Sequence, residues 1–154
     1  WLGRDRTPYA LDSRSDVKVL LAEPSYLDEI AQLHQQAFSD AEETLEASRR
    51  YITEALKDSD GLLYILLKEA QVIGVCTVDL SGNNNYLYGL AVAEAYRGQG
   101  YGSYLAKSLV NQLIEQNDKE FQIAVEDSNI GAKRLYEKIG FVKQTQVVYL
   151  KQKE

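Results

Sequence analysis

Arg97-Gly98-Gln99-Gly100-Tyr101-Gly102 sets three alternating glycines behind a basic residue, between a strand-like run and a long helical one. Residues 86–92 alternate as a strand, while residues 100–116 carry Leu105, Leu109, Val110 and Leu113 at helical spacing. A helix start presents unpaired backbone N–H groups and the positive end of its dipole, so a strand-to-helix junction of this kind is an anion site. Glycine lets backbone approach phosphate oxygens that a side chain would hold off. No lysine follows the last glycine, which excludes a P-loop NTPase. The alternating spacing also fails the G-x-G-x-x-G of a dinucleotide fingerprint.

Outward from the loop, residues 121–125 form another apolar strand, so strand, loop, helix and strand make a βαβ crossover with parallel pairing. Upstream, residues 62–67 and 72–80 read as an antiparallel hairpin turning near Glu69-Ala70, and Ser81-Gly82-Asn83-Asn84-Asn85 turns the chain into 86–92. Alternation along 86–92 places Tyr86, Tyr88, Leu90 and Val92 on one face and Leu87, Gly89 and Ala91 on the other. Residues 17–21 are a short strand. A helix over 24–38 follows, opened by Pro24-Ser25 with Asp28 placed to cap it, and then a helix over 45–56 with Leu45, Ile52, Ala55 and Leu56 inward. Downstream, 129–139 is a helix stopped by Gly140, and 141–143 and 145–152 finish the sheet. The fold class is α/β: one domain over 17–154 with a central mixed, mostly antiparallel sheet and helices on both faces. Residues 1–16, polar and carrying Pro8, read as a linker or the tail of an upstream segment.

With 154 residues, 45% of them hydrophobic, the chain can bury one real core. A single cysteine, Cys76, rules out an internal disulfide framework and offers too few thiolates for structural zinc, so no metal is expected. No run is apolar for long enough to span a bilayer, and no signal peptide opens the chain, so a cytoplasmic protein without a membrane partner is expected. A net charge of -6 argues against nucleic acid, which needs clustered Lys and Arg, and mildly favours a cationic partner. The first residue is Trp1 and no methionine occurs, so a fragment or trimmed chain is expected, with an upstream domain as an open alternative.

Two runs resemble the GNAT superfamily of acetyltransferases. Leu90-Ala91-Val92, followed by Tyr96 and the loop Arg97 to Gly102, is similar to the family's acetyl-coenzyme A motif, R/Q-x-x-G-x-G/A. Asn129, Ala132, Leu135, Tyr136, Gly140 and Phe141 resemble its second signature, an asparagine before a short helix bearing A-x-x-L-Y and ending in G-F. The resemblance covers residues 17–152. It implies a GNAT (acyl-CoA N-acyltransferase) fold, acetyl-CoA as co-substrate, and direct transfer of its acetyl group to a primary amine in a ternary complex. It further implies a pantetheine arm between strands 86–92 and 121–125, bonded to backbone of Leu90, Ala91 and Val92. The pyrophosphate would rest on amides of Gly98, Gln99, Gly100, Tyr101, Gly102 and Ser103, with charge added by Arg97. The N–H near Leu90 would serve the thioester carbonyl, Tyr136 would contact the cofactor and protonate the departing thiolate, and Asn129 would touch the pantetheine.

Candidates for the general base are weaker. Some protein N-terminal acetyltransferases of this family carry a glutamate five residues before the motif asparagine, and this chain has Ala124 there. Glu126 and Asp127 lie nearby, Tyr86, Tyr88 and Asp79 offer a relay through water, and His34 titrates near neutrality but falls on an apolar helical stripe, where core histidines sit. Cys76, within a strand, reads as a packed thiol. Asp40, Glu42 and Glu43, between the first two helices, suit a cationic acceptor. Two alternatives stay open: a homodimer, and a coenzyme A-binding GNAT module with little or no catalysis, acting as a sensor or one half of a tandem protein.

Overall fold

Two strands buried on both faces organise the structure, a computed structural model that describes residues 2–4, 8–9, 16–38, 45–124 and 130–143. These strands, β3 (Gly61–Lys68) and β4 (Gln71–Asp79), are apolar along most of their length because helices cover both sides. Their period of two sends Leu63, Ile65 and Leu67 into one layer and Tyr64 and Leu66 into the other. The first layer is closed by α1 (Leu27–Phe38) and α2 (Leu45–Lys57), through Ile30, Ala31, Leu33 and Ile52. The second is closed by α3 (Tyr101–Gln116) and α4 (Ile130–Lys138). Leu105, Leu109 and Leu113 recur every four residues along α3 and are fully buried, each contributing roughly 1.5–3 kcal/mol. The β3–β4 hairpin turns at Glu69 and Ala70, both at positive φ (51° and 69°), the primed turn that matches strand twist.

The remaining strands are β1 (Leu2–Arg4), β2 (Val17–Leu21), β5 (Asn84–Val92), β6 (Glu120–Ile123) and β7 (Val142–Lys143). The sheet runs β2-β3-β4-β5-β6-β1-β7, and among the described strands only β5 and β6 pair in parallel, joined by α3. The α/β class, the mixed and mostly antiparallel sheet, and the helices on both faces agree with the sequence reading.

Four details differ from it. Leu2–Arg4 lies in the stretch read as a linker, yet it pairs antiparallel with both β6 and β7, Leu2 standing opposite Ile123 and Lys143. Beyond it, the Tyr9 amide donates to the Asn111 side chain (2.8 Å), which donates in turn to the Tyr9 carbonyl (3.0 Å). The first helix begins as a separate 3-10 turn, Pro24–Tyr26, and Asp28 does not cap it but ion-pairs with Arg49 of α2. On α2 the buried positions are Ser48 and Ile52, while Leu45 is exposed. The expected strand over 145–152, and with it Asp40, Glu42, Glu43, Glu126, Asp127 and Asn129, lies outside the described residues.

Candidate active site

The site begins where β5 breaks its own alternation. Thr77 pairs with Tyr88 and Val75 with Ala91, so Cys76 alone on β4 faces Gly89 and Leu90 on β5. This is a bulge, and Gly89 takes the left-handed conformation it needs, at φ 68°. The extra residue reverses the faces beyond it. Tyr88 meets Thr77 and the α1/α2 layer, whereas Leu90 and Val92, expected on the same face, pack against the α3 core, and Ala91 joins the α1/α2 layer. The expectation of one uniform face for Tyr86, Tyr88, Leu90 and Val92 is corrected accordingly.

At the same place β5 loses its parallel partner. Pairing with β6 runs from Asn84 opposite Glu120 to Leu87 opposite Ile123, and the Ala124 amide closes the ladder on the Leu87 carbonyl (2.9 Å). Beyond Leu87 no described strand pairs with that edge of β5, and because Ala91 pairs with Val75 on β4, it is the backbone of Leu90 and Val92 that faces this seam. The closed end is fastened by Asn85, fully buried, whose side chain exchanges two hydrogen bonds with Asn117 (3.0 and 2.8 Å) and donates to the Lys119 carbonyl (3.2 Å). Asn85→Ala strips Asn117 of that partner and should cost about 2 kcal/mol of unfolding free energy, read by urea denaturation. An unchanged midpoint would mean the pair does not hold the seam's closed end.

At the open end lies the glycine loop. Gly98 and Gly100 sit at φ 76° and 87°, and Gly100 is the N-cap of α3, where no side-chain cap is present. The first intrahelical bond runs from the Tyr104 amide to the Gly100 carbonyl (3.0 Å), so the preceding amides, Gly102 and Ser103 among them, have no acceptor within the helix. Gly102 packs its backbone against Leu135 and Val92, where an added Cβ would lie 3.3 Å and 3.6 Å from their methyl carbons. Arg97 turns back to the strand it follows, its Nε donating to the Val92 carbonyl (2.9 Å), and Gln99 donates to the Ala95 carbonyl (3.3 Å). The Tyr101 side chain is buried, its hydroxyl donating to Asp16 (3.0 Å), so only its backbone is available to a phosphate.

Tyr136, on α4, is buried in the α3 layer beside Phe141, ring centroids 6.4 Å apart. Burial pushes its hydroxyl above the ordinary phenol value, with the Cys76 thiol adding in the same sense. Cys76 is the residue facing the bulge, so α4 brings Tyr136 within electrostatic reach of the bulged stretch of the sheet. The thiol itself is fully buried, directed at the Tyr88 and Thr77 carbonyls (3.6 and 3.7 Å), and burial pushes it up to about 12, which makes it a packed group and not a nucleophile.

On the α1/α2 face the structure assembles a cluster that the sequence only half revealed. The Tyr51 hydroxyl of α2 reaches those of Tyr88 and Thr77, and burial raises both phenols. His34 stacks on Tyr51 (4.7 Å) with Nδ1 at 3.3 Å from the Ser48 hydroxyl, and Tyr86 stacks on Tyr88 (5.8 Å). Tyr51 gives no sequence signal, since its partner lies across the sheet. A pocket of about 410 Å³ opens here, lined by Tyr51, Glu54, Ala55, Lys57, Asp58 and Tyr88.

The sheet order, the parallel pair parted at a bulge and the uncapped helix start behind glycines define an acyl-CoA N-acyltransferase fold. The chain belongs to the Acetyltransferase (GNAT) family, whose profile matches residues 27–141. It is 34% identical over 89 residues to the ribosomal protein bS18 alanine N-acetyltransferase of Haemophilus influenzae, an overlap of 56% of this chain and 60% of that one. Among solved structures, the ribosomal-protein-S18-alanine N-acetyltransferase of Escherichia coli is similar over 84% of this chain and 79% of that one, with a TM-score of 0.72 and 20% identity. An aminoglycoside N-acetyltransferase in complex with CoA matches over 88% of this chain and 95% of that one, with a TM-score of 0.71 and 14% identity. At those identities the structural likeness speaks for the fold. The chain spans between 24% and 61% of the length of the curated relatives it matches. Among the described residues, no helix is long and apolar enough to cross a membrane.

Proposed function

We propose that this chain is an N-acetyltransferase that moves the acetyl group of acetyl-CoA to a primary amine by direct attack in a ternary complex. The observation that carries this reading is the seam beyond Leu87, an edge of β5 that no described strand pairs with, with a bulge beside it and helix-start amides without intrahelical acceptors near its end. An extended thiol-bearing arm with a pyrophosphate at one end fits that layout. Backbone of Leu90 and Val92 would bond the arm as an added strand does, Ala91 between them being paired with Val75, and the amides of 98–103 would receive the pyrophosphate. Arg97, held on the Val92 carbonyl, keeps the loop registered on β5.

Acetyl-CoA supplies an activated thioester carbonyl. The Leu90 N–H, at the bulge, would stabilise the charge that grows on the carbonyl oxygen. An amine nitrogen bonds to the acetyl carbon as the carbon–sulfur bond breaks, and the proton it sheds passes to water by way of the Tyr51–Tyr88 hydroxyls. Tyr136 gives its proton to the departing sulfur and recovers one from water, so no residue needs to be acylated. Ala124 stands where a glutamate base would act in protein N-terminal acetyltransferases, which weighs against that acceptor type.

The test is calorimetric titration with acetyl-CoA, then thiol release against a panel of primary amines. Binding with release is expected. Binding without release on any amine would favour a coenzyme A-binding module, and no binding would end both readings.

A further inference from the structure

The pocket on the α1/α2 face has a composition that the acetyl-transfer reading does not require. Glu54 and Ala55 lie three and four residues after Tyr51, and Asp58 lies four and three after them, so these four lining residues share one face of α2 and its end. The fifth, Tyr88, is the last residue before the bulge and reaches Tyr51 by its hydroxyl. One end of the pocket is therefore aromatic and adjoins the seam. The other end is acidic.

Both aromatic rings are braced, Tyr51 by His34 and Tyr88 by Tyr86, so they present fixed faces of the kind that attract cations. Among the described residues, neither Glu54 nor Asp58 forms an ion pair. Asp58 accepts a hydrogen bond from the Asp60 amide (2.9 Å), which fixes its carboxylate at the end of α2. Asp79, on the strand opposite Tyr86, adds a further negative charge, its carboxyl held below the usual range by the Ser81 hydroxyl and amide. Lys57, exposed at the end of α2, is the basic member of the lining.

We propose that this pocket takes the acceptor, and that the acceptor is a small amine bearing a second positive charge. Its reacting nitrogen lies beside Tyr88 at the bulge, and its second ammonium lies against Glu54 and Asp58. The proposal rests on the acetyl-transfer reading for the nitrogen's fate, but the binding site stands on the pocket alone. Helical rise places Glu54 and Asp58 about 4.5 and 10 Å along the axis from Tyr51, so the two charges of the ligand should be separated by distances in that range. An uncharged neighbour in place of the second ammonium leaves the carboxylates unanswered. That is the physical basis for preferring a diamine to a monoamine of equal length.

The experiment compares diaminobutane and diaminopentane with butylamine and pentylamine, by thiol release and by calorimetry on the CoA-loaded protein. The Michaelis constant of each diamine should be about tenfold below that of its monoamine at low salt, two exposed charge contacts each giving up to about a factor of five. The gap should narrow as salt shortens the screening length. In the Glu54→Gln, Asp58→Asn double variant the preference should collapse to about twofold while CoA affinity holds. No preference in the wild-type protein, or a preference that survives the double variant, overturns the proposal. If no amine releases thiol, the acetyl-transfer reading fails, and calorimetric binding of the diamines, lost in the double variant, still decides the pocket.

Discussion

Tyr136→Phe should lower turnover about a hundredfold while acetyl-CoA affinity stays within about twofold, the pattern expected of a proton donor and not of a binding contact. The substitution keeps the ring that packs edge-on against Phe141 and removes only the hydroxyl, so the α4 layer survives it. Burial raises the phenol, which keeps it protonated, and thus competent as a donor, throughout the neutral and mildly alkaline range. A raised value by itself weakens the acid. The same dry surroundings disfavour a thiolate as well, so burial raises both the donor and the acceptor of the proton. The sign follows: turnover should not fall through loss of the Tyr136 proton until pH exceeds the ordinary phenol value of about 10. Steady-state thiol release and calorimetry on both proteins decide the matter, and equal turnover would remove Tyr136 from the chemistry.

Gly100→Val should weaken acetyl-CoA binding by about a hundredfold with only a modest loss of stability. At φ 87° a β-branched residue stores about 1–3 kcal/mol of strain, and the loop can relieve it only by rotating the peptide units whose amides face the open end of the seam. Gly100 is exposed, so little packing is lost. Gly102 would be the poorer choice, because a Cβ there presses on Leu135 and Val92 and a bulky residue would disturb α3 and α4 together. Calorimetry with unchanged affinity in Gly100→Val would remove the loop as a phosphate site.

Features written in local physics could be read from the chain. The buried runs of β3 and β4, the leucine stripe of α3 and the glycines before it each carry their signal within a dozen residues, and the fold follows from their order. The bulge was hidden because Tyr86 to Val92 alternates without a break in sequence. Only the pairing with β4 shows two residues standing against one, and Gly89 was the sole local hint. Likewise Leu2–Arg4 is too short to show a period, and nothing near it in sequence is its partner. In the site, the glycine loop was legible from its spacing, whereas Tyr136 was singled out through the family resemblance of its motif. The Tyr51–Tyr88 contact and the pocket beside it were not, since α2 and β5 meet only through tertiary packing.

The position of β1 bears on how the molecule folds. Leu2–Arg4 joins the sheet between β6 and β7, so it must await partners synthesised near the other end of the described chain. The hairpin of β3 and β4 can close early from adjacent residues, whereas the β6-β1-β7 side pays a large loop-closure entropy and should assemble last. Because β6 is also one wall of the seam, coenzyme-binding competence should appear late in refolding, after most helical signal has returned.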